Sequence, residues 1–155
     1  MQGQLLGIFI TENRSQPMIA HKSAQAVAGR GLEGDRYFLE QGTFSKKIKK
    51  SRDITLIEIE AILAVKRDYN IDVQPKDIRR NLLTSGVPLN HFVNRRLFIG
   101  SVILEGIDLC EPCGYLSDLL NLPLKEALKH RGGLRCKIIS GGLLEIGQPI
   151  LEFSP

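Results

Sequence analysis

The strongest constraint on what this chain can fold into is the shortness of its apolar runs. Gln4–Ile10, Met18–His21, Gln25–Ala28, Leu97–Ile99, Val102–Leu104, Cys136–Ser140, Leu143–Ile146 and Pro149–Phe153 are all strand-sized. Glycines and prolines between them supply turns, and Gly141-Gly142 is predicted to close a hairpin. Only one stretch carries a long helical period. Thr55-Leu-Ile-Glu58 matches a capping box, so a helix is predicted from there to about Tyr69, ending at Asn70. Leu56, Ile59, Ile62, Leu63 and Val65 would face the core. Strands and helices do not alternate as in a βαβ chain. The expectation is a mixed α/β, mainly β fold: one domain over residues 1–155, a barrel with peripheral helices. At 155 residues the chain is long enough to bury a core of that kind.

Chemistry concentrates in Ile99 to Cys113, which begins as a strand and ends in the pair Cys110-Glu-Pro-Cys113. Pro112 fixes the backbone between the thiols and removes one amide donor. A short helix is predicted over Gly114–Leu120, so Cys113 would lie next to free amides that lower a thiol's pKa. The residues leave several readings open: half of a zinc site, a redox dithiol, two buried small hydrophobes, or one activated thiol. Beyond this pair the chain has Cys136, His21, His91 and His130, none spaced as a ligand partner. Cys136 is expected to pack in a strand, and the histidines to lie at the surface.

The net charge of +4 matters through its distribution. Lys46, Lys47, Lys49, Lys50 and Arg52 form a basic block; Arg79-Arg80 and Arg95-Arg96 are pairs; Arg131 and Arg135 flank Gly132-Gly133. Such clusters suit an anionic ligand, with a solvated basic face as the plainer alternative. Aromatics are 6% and no nucleic-acid signature occurs, so stacking on bases is not expected. No apolar run reaches transmembrane length and the start lacks a signal-peptide pattern, which predicts a cytoplasmic protein off the membrane. An odd number of cysteines, three, then argues for reduced thiols. The glycine-dense Gly29–Tyr37 allows close ligand approach but is neither a Walker loop nor a dinucleotide fingerprint. Alternation along Arg79-Arg-Asn-Leu-Leu-Thr84 would put Arg79 and Arg80 on opposite faces of a strand.

Seven pieces in order resemble the molybdenum cofactor sulfurase C-terminal (MOSC) domain family: Gly31–Arg36, Arg52–Glu58, Arg79–Asn81, Phe98–Gly100, Leu109–Cys113, Arg131–Gly133 and Gly141–Gly147. The resemblance implies a pyruvate-kinase-type β-barrel with added helices, in a short stand-alone member. It implies molybdenum cofactor (molybdopterin), a pterin dithiolene carrying a phosphate. The family's central cysteine falls on Cys113, as catalytic residue and metal ligand. Arg79, Arg80, Asn81 and Arg131 would supply phosphate donors, and Asp35 and Arg36 would hold the pterin edge or order their loop.

Family members reduce N-hydroxylated compounds or act in sulfur transfer to the cofactor. The resemblance therefore implies an oxidoreductase component acting on a small-molecule substrate. The alternatives are a sulfur carrier with a persulfide on cysteine, a cofactor-handling protein, or a non-catalytic binding module. Tyr37 stands where many small members have histidine, and Gln148 where Asp is usual. Neither the extra N-terminal domain of longer reductases nor the pyridoxal-phosphate domain of a full sulfurase is present in these 155 residues. No flavin or nicotinamide fingerprint occurs and three cysteines cannot bind a four-cysteine cluster, so an external electron-donor or sulfur-donor protein is expected.

Overall fold

The computed structural model describes residues 2–13, 16–39, 53–112 and 114–153. Among these residues the strands are β1 (Gln2–Ile10), β2 (Ile19–His21), β3 (Ser23–Val27), β4 (Gly31–Leu32), β5 (Ile54–Glu58), β6 (Leu82–Ser85), β7 (Arg96–Ile99), β8 (Val102–Leu109), β9 (Leu134–Ser140), β10 (Gly142–Glu145) and β11 (Pro149–Glu152). The α-helices among the described residues are α1 (Ile59–Tyr69), α2 (Gly114–Leu120) and α3 (Leu124–Ala127). Seven strands close a barrel in the order β11-β7-β8-β9-β5-β6-β1, with β1 pairing back onto β11 and β2 added outside β1. A second sheet, β10-β3-β4, caps it. The predicted class, mainly β in a barrel with short helices around it, is the one observed.

The pleat explains the closure. Along β8, Val102, Leu104 and Gly106 turn inward while the residues between them are half-buried. Leu5, Leu56, Leu82, Leu97 and Leu134 meet them inside. Each such side chain contributes roughly 1.5–3 kcal/mol by leaving water. Gly106 is glycine by necessity: a Cβ there would run into the Phe92 carbonyl, and the strand is irregular just beyond it.

A second apolar layer lies between the barrel wall and the helices. Ile57, Ile62, Val65, Ile78, Leu116 and Leu124 form it. Here the helix prediction needs correction. Ile54–Glu58 is strand, not the first turn of a helix, and Glu58 makes no side-chain cap. Leu56 belongs to the barrel interior and Ile57 to the outer layer, so both faces of β5 are buried. Its neighbour β6 runs parallel to it, with α1 in the connection between the two. The helix does end at Asn70, in the left-handed conformation, while Leu63 points outward, 61% exposed.

Gly141-Gly142 is not a hairpin either. β10 leaves β9 and pairs with β3 across Gly142–Glu145, forming the cap instead. Among the described residues no helix is long and apolar enough to cross a membrane.

Candidate functional site

A proline-started 3-10 turn, Pro75–Ile78, delivers the two adjacent arginines. Arg79 ends it with φ 67°, an uncommon left-handed conformation for a residue with a side chain. This kink, rather than strand alternation, is what sends the two guanidiniums apart. β6 begins only at Leu82.

Arg79 is 8% exposed and its Nη1 donates to the Gln16 carbonyl at 2.6 Å. It lines a cavity of about 200 Å³ with Pro17, Met18, Lys76, Asp77, Leu119 and Leu120. Two cationic residues and one acidic residue, Asp77, thus share the cavity with apolar walls, and Leu119 and Leu120 come from α2, the helix that starts one residue after Cys113. Arg80 makes a different set of contacts. Nε donates to the Gly132 carbonyl at 2.8 Å, Nη1 to Ile78 at 3.3 Å and Nη2 to Cys110 at 3.3 Å.

Asp35 and Arg36 form a buried pair beside Arg79. Asp35 Oδ1 accepts from Arg36 Nη1 and from the Thr11 amide, both at 3.2 Å. Arg36 Nη2 donates to the Tyr37 hydroxyl at 3.4 Å and to the Arg79 carbonyl at 3.5 Å, and its guanidinium lies over the Tyr37 ring. The loop Gly31–Tyr37 is therefore fastened to the segment that carries Arg79. Asn81, fully buried, accepts at Oδ1 from the Thr55 amide and hydroxyl and donates through Nδ2 to the Phe9 carbonyl.

Burial pushes the Asp35 carboxyl above its ordinary 3.8, against the downward pull of Arg36 and the Thr11 and Tyr37 amides. Asp53 and Glu58 are also raised, chiefly by burial. A carboxyl whose folded pKa exceeds its unfolded one contributes stability that is full below the unfolded value and is lost as pH rises through the folded one. Urea midpoints should therefore fall as pH climbs from about 4 through that window. Asp35→Asn should flatten this slope; an unchanged slope would mean that Asp35 ionises as freely when folded as when unfolded.

The thiols divide. Cys113 lies outside the described residues, as does the basic block Lys46–Arg52. Cys110 is 5% exposed at the end of β8, its amide donating to the Gly133 carbonyl at 2.7 Å. Pro112 is buried against Gly132, where a Cβ would strike the Cys110 carbonyl. Cys136 is fully buried on β9, and burial, with Cys110 and Asp53 adding to it, holds its thiol protonated far above neutrality. That thiol is not a nucleophile.

The structure thus brings Asp35, Arg36, Arg79 and Asn81 into one connected group, and sets Arg80 on the carbonyls around Cys110. Arg131 joins neither. Its Nε donates to the Ala127 carbonyl at 2.8 Å and its Nη1 pairs with Asp68 at 2.9 Å, tying the end of α1 to the segment after α3. Sequence reasoning missed Lys76, Met18 and the α2 leucines as cavity walls. Their one local signal was Pro75, which starts the turn that places Lys76 and Arg79 together.

The family model for the MOSC domain matches residues 42–151. No curated protein matches the chain in sequence. Among solved structures, the YuaD protein from Bacillus subtilis superposes with a TM-score of 0.83 at 17% identity, covering 99% of this chain and 98% of that one. YiiM from Geobacillus stearothermophilus gives 0.75 at 13% identity, covering 98% and 75%. YiiM from Escherichia coli gives 0.70 at 17%, covering 98% and 70%. At these identities the likeness is one of fold.

Proposed function

This chain belongs to the MOSC domain family, which is associated with molybdenum cofactor, and from that premise we propose a cofactor-binding reductase component in which Cys113 is the metal ligand. The observation that carries the reading is the cavity that joins Arg79 and Lys76 to the helix following Cys113. Leu119 and Leu120 lie about 8–9 Å along α2 from its start, by helical rise. A thiol at one end of that helix and paired cations towards the other suit a ligand with a soft metal at one end and a phosphate at the other.

The residues fit such a group. Arg79 and Lys76 would supply charge-assisted donors for the phosphate, with Met18, Leu119 and Leu120 as the apolar wall beside it. The cavity is small beside the ~300–1,000 Å³ of a whole small-molecule pocket, so it would take the phosphate end. When bound, the group supplies a metal that can pass two electrons to an N–O bond. The chain's own part is positional. Cys113 holds the metal, Arg79 and Lys76 fix the phosphate, and the Asp35–Arg36 pair keeps the Arg79 segment in place. Electrons come from a separate donor protein, and the basic sequence Lys46–Arg52 suits an acidic one.

Elemental analysis for molybdenum with mass spectrometry for pterin, on gently purified protein, tests the binding. Loaded protein is then given an N-hydroxylated base with a chemical reductant, or with NADH alone. Turnover with the chemical reductant only is the expected result. A persulfide mass on Cys113 with neither molybdenum nor turnover would replace this reading with the sulfur carrier.

Replacing Arg79 by Ala should weaken cofactor or phosphate binding by about 1.5–3 kcal/mol, the range for a hydrogen bond to a charged group. Lys76→Ala, at an exposed position, should cost less. Lys49→Ala and Lys50→Ala should hardly matter. Titration calorimetry with inorganic phosphate reads all four; equal losses would mean diffuse attraction rather than a seat.

A further inference from the structure

We propose that Arg80 is a positioning residue for the thiol-bearing turn: its guanidinium clamps the Ile78, Cys110 and Gly132 carbonyls and so fixes the backbone that leads to Cys113. This rests on the reading of Cys113 as the working thiol.

The three acceptors belong to three separate segments: the 3-10 turn before Arg79, the exit of β8, and the turn into β9. A planar fork with five N–H donors can span three such carbonyls at once, whereas an ammonium on a flexible stem cannot reproduce that geometry. The same turn is held from its other side. The Cys110 amide donates to the Gly133 carbonyl, and Pro112 packs on Gly132. Among the described residues it is also tied through Glu111, which accepts from the His130 amide at 3.2 Å and pairs with the His130 ring, both side chains being exposed. Pairs so exposed contribute little. Without Arg80, three carbonyls lose their charged donor, and among the described residues 110–112 are left with the Cys110 amide bond, the Pro112 packing and the exposed Glu111–His130 contacts.

Arg80 also does not line the cavity that Arg79 shares with Lys76. The adjacent arginines therefore divide the work: one faces the ligand seat, the other holds the turn. The left-handed Arg79 is the local distortion that makes the division possible.

The fold supplies its own reporters. Cys110 sits inside the clamped turn, whereas Cys136 is fully buried in the middle of β9. Release of the turn exposes Cys110 alone; general loosening exposes both. The experiment is iodoacetamide labelling of the full, cofactor-free chain, read per cysteine by mass spectrometry across a pH series. Arg80→Ala, Arg80→Lys and Ile138→Val are compared with the wild type, the last lowering global stability from within β9.

In both Arg80 variants Cys110 labelling should rise about tenfold or more, the size expected for losing one charge-assisted hydrogen bond. Cys136 should stay silent. The rate of Cys113 labelling at neutral pH should change in both Arg80 variants. Ile138→Val should leave the Cys113 rate in place and raise Cys110 and Cys136 together. If Arg80→Ala fails to fold, Arg80→Lys carries the test, since it keeps the charge and loses only the fork. A labelling profile in Arg80→Lys that matches the wild type would overturn the clamp, as would Cys136 rising in step with Cys110. Wild-type Cys113 that never labels would defeat the thiol reading instead, and the Cys110 to Cys136 contrast would still decide the role of Arg80.

Discussion

With Cys113 as the proposed metal ligand, its replacement by serine is expected to remove molybdenum from the purified protein altogether while leaving the barrel intact. A serine hydroxyl stays protonated at neutral pH and offers a hard oxygen. The metal of this cofactor favours a soft thiolate. The loss should be at least about a hundredfold in retained metal, beyond what losing a residue that only orients a ligand produces. Cys110 and Cys136 are both buried. Serine at Cys136 should therefore show the opposite pattern. It places a hydroxyl in the barrel interior and should cost about 1–3 kcal/mol of stability if unpartnered, with metal per folded chain unchanged. Metal analysis and thermal melts on the same preparations separate the two. Wild-type molybdenum in Cys113→Ser would sink the assignment, and so would loss of metal from a folded Cys110→Ser variant.

The barrel was legible because most of its strands are short, alternating and bounded by turn residues, a pattern that each segment carries locally. The cap and the parallel pair were not. Ile54-Thr-Leu-Ile57 is apolar on both faces, and periodicity alone cannot separate a buried strand from a helix start in so short a run. Thr55 and Glu58 have the spacing of a capping box. The hydroxyl of Thr55 is instead taken by Asn81, 26 positions away, and that partner is invisible in the local sequence. Likewise Gly142–Glu145 is strand, as expected, but what it pairs with is β3, more than a hundred residues earlier. The candidate site divides in the same way. That Arg79 and Arg80 diverge was readable from their adjacency, though the cause is a left-handed kink. That Arg131 pairs with Asp68 depends on α1 and α3 meeting, which no motif reports.

The largest stability loss from a single polar truncation should come at Asn81. Its side chain and backbone stitch three strands where β5 and β6 begin to run parallel. Oδ1 accepts from the Thr55 amide at 3.1 Å and hydroxyl at 3.2 Å, and Nδ2 donates to the Phe9 carbonyl at 3.2 Å. Its own amide donates to the Thr55 hydroxyl at 3.1 Å, and its carbonyl accepts from the Phe9 amide at 2.7 Å. Truncation to alanine keeps the two backbone bonds and strands the Thr55 amide and the Phe9 carbonyl out of reach of water. At about 1–3 kcal/mol for each unsatisfied group, the loss should be about 3–5 kcal/mol. At 2–4 °C per kcal/mol for a chain of this size, the melting point should fall by roughly 10 °C. Asn81→Asp should be worse at neutral pH. It turns the donor facing Phe9 into a second oxygen and sets a carboxylate against Asp35, which already contacts the Asn81 side chain. Lowering the pH should recover part of that loss by protonating the new carboxyl. The pair Thr55→Ala and Asn81→Ala should cost less together than the sum of the two alone, because each single change leaves the other partner unmatched. A loss under about 1 kcal/mol in Asn81→Ala, or strict additivity with Thr55→Ala, would mean that these bonds do not hold the barrel shut. Unchanged phosphate binding per folded molecule in Asn81→Ala would place the residue in the scaffold, behind the arginine it helps to seat.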